Sequence, residues 1–268
     1  MDKLLDGRVA VITGGGRGIG EATAMLLASE GAAVVINDVD EEPALAVKAA
    51  IEGAGGRAAI AKGDIRLKED CERICAAAAG SFGRLDILVN NAGTTRDKVI
   101  HQMTDDLWNL VIDICLKGPF NMIRAAAPYM RDAAKAEMEK GGAYAYQRKI
   151  VNVSSTAALR GNPGQVNYTA AKAGVVGMTK TMAREWGRFG VNVNCVTPGF
   201  VDTRLTRPKE SASSPVGLPP DAAENIKKIV ALGRVGKPAD IAKAILFFSS
   251  PLSDWITGQV LVVDGGLT

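Results

Sequence analysis

Histidine is nearly missing from this chain: His101 is the only one in 268 residues. A multi-histidine metal site is thereby excluded. A Ser-His-Asp hydrolase would have to be built on that one residue, and no G-x-S-x-G elbow is present to carry its nucleophile. The four cysteines form no C-x-x-C pair. Cys71 and Cys75 are four apart on a predicted helix but have no ligand cluster around them, so reduced, half-buried thiols are expected and no metal. Charge of one sign is also lacking. Against 32 Lys+Arg stand 29 Asp+Glu, a net +3 too small and dispersed for the basic stripe of a nucleic-acid binder. Long apolar runs are missing as well; the uncharged stretch 244–253 is ten residues with Ser and Pro inside it, about half a membrane span. The start, Met1-Asp2-Lys3-Leu4-Leu5-Asp6, lacks the apolar centre of a secretory signal. The expectation is a cytoplasmic protein with no nucleic-acid and no membrane partner.

What is present is ordinary globular composition, 47% apolar and 23% charged, in a rhythmic order. Short β-branched runs at 9–12, 33–36, 57–61, 85–89, 149–153, 191–196 and 259–263 alternate with longer stretches of helical spacing at 19–30, 41–53, 67–82, 105–131, 166–188 and 238–249. Most of the short runs are almost continuously apolar, as strands buried on both faces of a parallel sheet are. The series predicts an α/β fold: a single doubly wound, Rossmann-type domain over 1–268, with a seven-stranded parallel sheet and helices on both faces. Its ligand site is expected beyond the carboxyl ends of the strands. Two segments break the rhythm. Residues 132–148 read as a solvated helix extension stopped by Gly141-Gly142. Residues 204–221, with Pro208, Pro215, Gly217, Pro219 and Pro220, read as a long loop suited to a substrate lid.

The first strand runs into Thr13-Gly14-Gly15-Gly16-Arg17-Gly18-Ile19-Gly20 and then a helix. Glycines let backbone approach a diphosphate, and a helix N-terminus stabilises its charge. The spacing is G-x-x-x-G-x-G, and a plain tight turn would share it; the strand before and the helix after favour dinucleotide binding. Asp38 follows the second strand, 18 residues beyond Gly20, where a carboxylate can accept hydrogen bonds from the adenosine ribose. NAD is therefore expected. NADP is less favoured, because its 2′-phosphate would meet a like charge there, although Arg17 offers a partly offsetting cation.

Further along stand Asn90-Asn91-Ala92-Gly93, Ser155, Tyr168-x-x-x-Lys172 and Pro198-Gly199. With the glycine turn, these resemble in order and spacing the short-chain dehydrogenase/reductase family, from near residue 5 to the C-terminus. Gly161-Asn162-Pro163-Gly164-Gln165-Val166-Asn167-Tyr168 and the ending Thr257-Gly258-Gln259 to Asp264-Gly265-Gly266 most resemble its 3-oxoacyl-acyl-carrier-protein reductase group. The resemblance implies hydride transfer between a nicotinamide cofactor and a secondary alcohol or ketone, such as a 3-oxoacyl thioester or a similar apolar substrate. It implies Ser155, Tyr168 and Lys172 as catalytic residues, with Cys115 at the fourth catalytic position, and Tyr168 and Lys172 also on the nicotinamide ribose side. For the cofactor it implies Gly14, Arg17, Gly18, Ile19, Gly20, Asp38, the adenine-contacting pair Asp64-Ile65, Asn91, Gly93 and the carboxamide-holding Pro198, Val201 and Thr203. A homotetramer is implied by the same relatives.

Elementary chemistry agrees with these roles. Tyr168 and Lys172 are four apart and share a helix face, so the ammonium is expected to lower the phenol below its usual value of about 10. Ser155, thirteen residues earlier, can hydrogen-bond an oxygen passing between carbonyl and alkoxide. Cys115 departs from the family, which has asparagine there to help hold a water linking the lysine to a proton relay. A thiol is a weak donor and acceptor, so an altered relay is expected. The cofactor preference also cuts across the group, whose members resemble NADP users. An alternative of another class is a catalytically silent NAD-binding sensor or scaffold. Cys115 is the one feature in its favour, and the presence of Ser155, Tyr168 and Lys172 argues against it. The substrate pocket is expected from 94–103, 156–162 and the lid, where Leu205, Val216 and Leu218 suggest an apolar lining.

Overall fold

A computed structural model describes residues 3–207 and 222–268. Seven strands form one sheet: β1 (Val9–Thr13), β2 (Ala33–Asn37), β3 (Arg57–Ile60), β4 (Ile87–Asn90), β5 (Arg148–Val153), β6 (Val191–Pro198) and β7 (Val260–Val263). Every neighbouring pair is parallel, in the order β3-β2-β1-β4-β5-β6-β7. The expected fold class is the observed one. The continuous apolar runs are explained by what lies above and below them. Along β1, Ala10 and Ile12 join a core with Leu27, Val47 and Ile245, while Val9 and Val11 join a second core with Ile74, Met122 and Trp186. Successive side chains of a strand point to opposite faces, so a strand covered on both faces has no polar positions to alternate.

The first core is roofed by α1 (Gly18–Ser29), α2 (Glu41–Gly53) and α10 (Pro238–Ser249), the second by α3 (Lys68–Phe82), α5 (Gly118–Ala127) and α8 (Val166–Trp186). The sheet order reverses beside β1, which pairs with β2 on one side and β4 on the other. A crevice opens at such a reversal, outside the carboxyl ends of the strands.

The predicted helix over 105–131 and its extension prove to be one interrupted rod. After α4 (Asp105–Ile112), a π-turn over Asp113–Lys117 leads into α5, and a second over Pro128–Asp132 leads into α6 (Ala133–Gly141). Pro119 and Pro128 have no N–H with which to continue the i→i−4 ladder, and the wide turns accommodate that. Gly142 then stops the rod at φ +77°, a conformation glycine adopts without a Cβ penalty. The following residues return to the amino end of the sheet, where the ring of Tyr146 meets the guanidinium groups of Arg8, Arg84 and Arg148. Buried Asp86 accepts there from Val9 N and Arg84 Nε, anchoring the cluster to β1.

Two short helices, α7 (Ala157–Arg160) and α9 (Ala222–Ile229), were not expected from the sequence. Most of the expected lid, 208–221 with Val216 and Leu218, lies outside the described residues. The four thiols are unpaired and buried, and burial pushes those of Cys71 and Cys75 up to about 12, consistent with inert packing groups. Among the described residues, no helix is long and apolar enough to cross a membrane.

Candidate active site

A cavity of about 610 Å³ occupies the crevice at the carboxyl ends of the strands. Its first wall is the glycine turn between β1 and α1. Gly14 and Gly18 adopt φ +60° and +58°, so a side chain at either would be strained. Both, with Arg17 and Ile19, line the cavity. Gly20 does not line it; a Cβ there would lie 2.0 Å from Gly14 O, so its absence is what lets α1 start against the turn. No side chain caps α1 at Arg17, which leaves its first N–H groups for an anion.

Asp38 follows β2 and faces the same space. Its Oδ2 accepts from Gly16 N at 3.1 Å and its Oδ1 from Asp40 N at 3.1 Å. One hydrogen bond per oxygen leaves each with acceptor capacity for a hydroxyl. Arg17 is less available than the sequence suggests: its Nη1 lies 2.7 Å from Asp40 Oδ2, and this bond holds the Asp40 carboxyl below its usual range. The expectation of a cation at 17 to offset Asp38 is corrected accordingly, since Asp40 already engages it.

Asn91, after β4, donates to Thr13 O and Gly14 O, both at 3.0 Å. Its amide is spent on holding the glycine turn, and the residue still faces the cavity. Asp64 and Ile65 form a further wall. Asp64 is engaged by Arg66, 2.5 Å from its Nη2, which draws the carboxyl down. Opposite, Pro198, Val201 and Thr203 continue from β6. Thr206 Oγ1 donates to Val201 O and accepts from Thr203 N, fixing this turn. Thr203 Cγ2 comes within 3.5 Å of where a Cβ on Gly18 would lie, so the 203–206 turn faces the glycine turn across the cleft.

At the other end the three reacting candidates converge. Ser155 follows β5, Tyr168 and Lys172 share α8, and all three line the cavity. Lys172 Nζ donates to Val153 O at 2.7 Å and sits 5.7 Å from the centre of the Tyr168 ring. The phenol itself is pushed well above its ordinary value. Burial is the main cause, with the neighbouring Cys115 and Asp97 adding to it and a hydrogen bond with Ser155 opposing it. The expected lowering by Lys172 is thus corrected: the ammonium is turned to the Val153 carbonyl, and desolvation of the half-buried tyrosine wins.

Gly93 lines the cavity beside these groups; a Cβ on it would lie 3.6 Å from Lys172 Nζ and 3.7 Å from Cys115 Sγ. Cys115 stands behind that wall, fully buried on the first π-turn and outside the cavity lining. Its thiol donates to Thr94 O at 3.3 Å and accepts from Thr94 N at 3.4 Å. Both capacities of the sulfur are used on one backbone unit.

Residues outside the sequence-derived site also face the cavity, among them Gln165 and Arg204. Gln165 Nε2 donates to Asp97 at 2.9 Å and its Oε1 accepts from Asn162 at 2.9 Å, building a polar side to the substrate end. Asn90, beside Asn91 in the same motif, bonds Asn152 across β4 and β5 at 2.8 Å. Loop side chains carry no periodic signal, so Gln165 and Arg204 were legible only as members of longer motifs and loops.

Residues 14–268 match the family described as enoyl-(acyl carrier protein) reductase. The chain is 40% identical over 263 residues to a 3-oxoacyl-(acyl-carrier-protein) reductase FabG of Thermotoga maritima, covering 98% of each. It is also 40% identical over 258 residues to the short-chain reductase protein NovJ of Streptomyces niveus, covering 96% of this chain and 93% of that one. A solved dehydrogenase/reductase from Sinorhizobium meliloti 1021 superposes with a TM-score of 0.86 at 34% identity, over 100% of this chain and 97% of the other. With this glycine turn and this serine, tyrosine and lysine in one cleft, the chain belongs to the short-chain dehydrogenase/reductase family of oxidoreductases.

Proposed function

We propose that the protein interconverts a ketone and a secondary alcohol with NAD(H), the substrate being a 3-oxoacyl thioester or a similarly apolar carbonyl compound. The observation that carries this reading is one cavity with a glycine turn and Asp38 at one end and Ser155, Tyr168 and Lys172 at the other. The reading takes residues 1–268 as one domain of a cytoplasmic homotetramer, acting on a small molecule and on neither nucleic acid nor membrane.

The residues fit a nicotinamide dinucleotide. Gly14 and Gly18 hold positive φ values that a side chain would strain, and a Cβ on Gly14 would press on Ala92 Cα at 3.0 Å, while Asp38 retains lone pairs for a ribose. Gly14, Gly18, Ile19 and the N-terminus of α1 would hold the diphosphate, Asp64 and Ile65 the adenine, and Pro198, Val201 and Thr203 the carboxamide. When bound, the nicotinamide supplies or accepts the hydride. Ser155 Oγ hydrogen-bonds the substrate oxygen as its charge develops. Tyr168 Oη gives its proton to that oxygen in reduction and takes it back in oxidation. Lys172, anchored on Val153 O, has donors left for the ribose hydroxyls. Cys115 acts through the wall, keeping Thr94 in place; its side chain, engaged twice by that backbone, holds no relay water in this reading.

The direction of the Tyr168 shift sets a pH dependence. Reduction needs the protonated phenol, and the raised value keeps it protonated through neutrality and loses it only as pH climbs past that value. For ketone reduction, kcat/KM should therefore hold steady from neutral pH and decline only above about 10, the ordinary tyrosine value. An alkaline limb centred near 8 would show a lowered phenol instead.

A panel of ketones and alcohols with NAD(H) and NADP(H), followed at the nicotinamide absorbance, tests the reading. NAD is expected to exceed NADP by about tenfold or more in kcat/KM, a difference of about 1.4 kcal/mol. A clear NADP preference would remove the role given to Asp38. No turnover with either cofactor, despite dinucleotide binding, would favour a sensor or scaffold.

A further inference from the structure

Among the described residues Arg204, like Arg160 at the end of α7, lines the cleft without an ion pair, and it is the one carried on the 203–206 turn. Arg17 is paired with Asp40 and Arg66 with Asp64, while Asp38 accepts two backbone N–H groups. Among the described residues Arg204 makes no ion pair and no side-chain hydrogen bond, although it lines the cavity and is exposed. Its backbone is well fixed: Thr206 and Arg207 N donate to Thr203 O at 3.0 and 2.9 Å, and neighbouring Arg207 is tied to Asp202 at 2.7 Å.

The 203–206 turn faces the glycine turn, with Thr203 against Gly18. Arg204 is near enough to the opposite lip for its charge to act on Asp40. Between these lips lie the uncapped N–H groups of α1, a partial positive charge suited to an anion. A guanidinium on the facing side would complete the neutralisation with charge-assisted hydrogen bonds.

Resting on the reading of the cleft as a dinucleotide site, we propose that Arg204 binds the cofactor's diphosphate, closing over it from the side opposite α1. The bridging diphosphate, common to NAD and NADP, is the group recognised. The chain neighbour of Arg204, Thr203, lies against Gly18 of the glycine turn, whereas a 2′-phosphate would sit at Asp38.

The test is equilibrium binding to the full chain, by calorimetry, of NADH, NADPH, ADP and adenosine. Arg204→Gln should weaken NADH, NADPH and ADP alike by about tenfold or more and leave adenosine within about twofold. Arg204→Lys, which keeps the charge, should recover most of the loss. Arg207→Gln, at the paired neighbour, should leave NADH and ADP unaltered. Unchanged NADH and ADP affinity in Arg204→Gln would overturn the proposal, and so would a loss confined to NADPH, which would assign Arg204 to the 2′-phosphate. Failure of the unsubstituted chain to bind any dinucleotide would instead sink the cofactor reading beneath it. A fall in adenosine affinity equal to that of ADP would show a general disturbance of the cleft and would likewise overturn it.

Discussion

Tyr168→Phe should lower kcat by about 10³-fold, the scale on which a positioned acid/base contributes, while the Kd for NADH stays within about threefold. The two effects separate because the substitution removes one oxygen and keeps the ring. That ring packs with Val111, Cys115 and Ala171, so the wall behind the substrate persists. The hydroxyl lines the cavity with Ser155, and the serine acts on it against the upward shift. The neighbouring ammonium cannot substitute for it, because Lys172 Nζ is held by Val153 O and lies 5.7 Å from the ring centre. Steady-state turnover with the best ketone of the panel, beside calorimetry with NADH, checks both numbers. Turnover undiminished in the phenylalanine variant would assign the proton transfer to another group.

The sheet was legible because burial on both faces leaves a plain signature. Val34, Val35 and Ile36 of β2 are fully buried, and a run of that kind has few uses outside a parallel sheet. The glycine turn, Asp38, Ser155, Tyr168 and Lys172 were legible because each depends on local order: a turn after a strand, a carboxylate after the next strand, an i,i+4 pair on a helix. What escaped was set by distance in the chain. The pairing of Arg17 with Asp40 across 23 positions is not written in either neighbourhood. The phenol's upward shift depends on Cys115 and Asp97, brought in from a π-turn and a loop, and on desolvation that i,i+4 spacing does not contain. Cys115 could be seen as a departure from the family, but not that both hydrogen-bonding capacities of its sulfur would go to Thr94. The long apolar rod was read as one helix because its period continues through both π-turns; only the two prolines mark where the ladder widens.

Gly20→Ala should destabilise the protein by about 4 kcal/mol, at the upper end of single-substitution effects, and remove measurable NADH binding. The added Cβ would lie 2.0 Å from Gly14 O and 2.7 Å from Asn91 Nδ2. A side-chain obstacle can rotate away, but Gly14 O is backbone. It belongs to a turn at φ +60° that Asn91 holds through Thr13 O and Gly14 O. Relief therefore requires α1 to withdraw from the turn or the turn to open. Either movement breaks the asparagine bonds and separates the α1 N–H groups from the site a diphosphate would occupy. Gly80 supplies the contrast within the same chain. It lies exposed in α3 with nothing within 4 Å of an added Cβ, so Gly80→Ala should stabilise by about 0.5–1 kcal/mol through reduced unfolded-state entropy. Urea unfolding at constant m-value reads both changes as shifts in midpoint, with opposite sign. A Gly20→Ala protein with the parent midpoint and parent NADH affinity would show that α1 does not start in contact with the glycine turn, and the cofactor cradle would have to be redrawn.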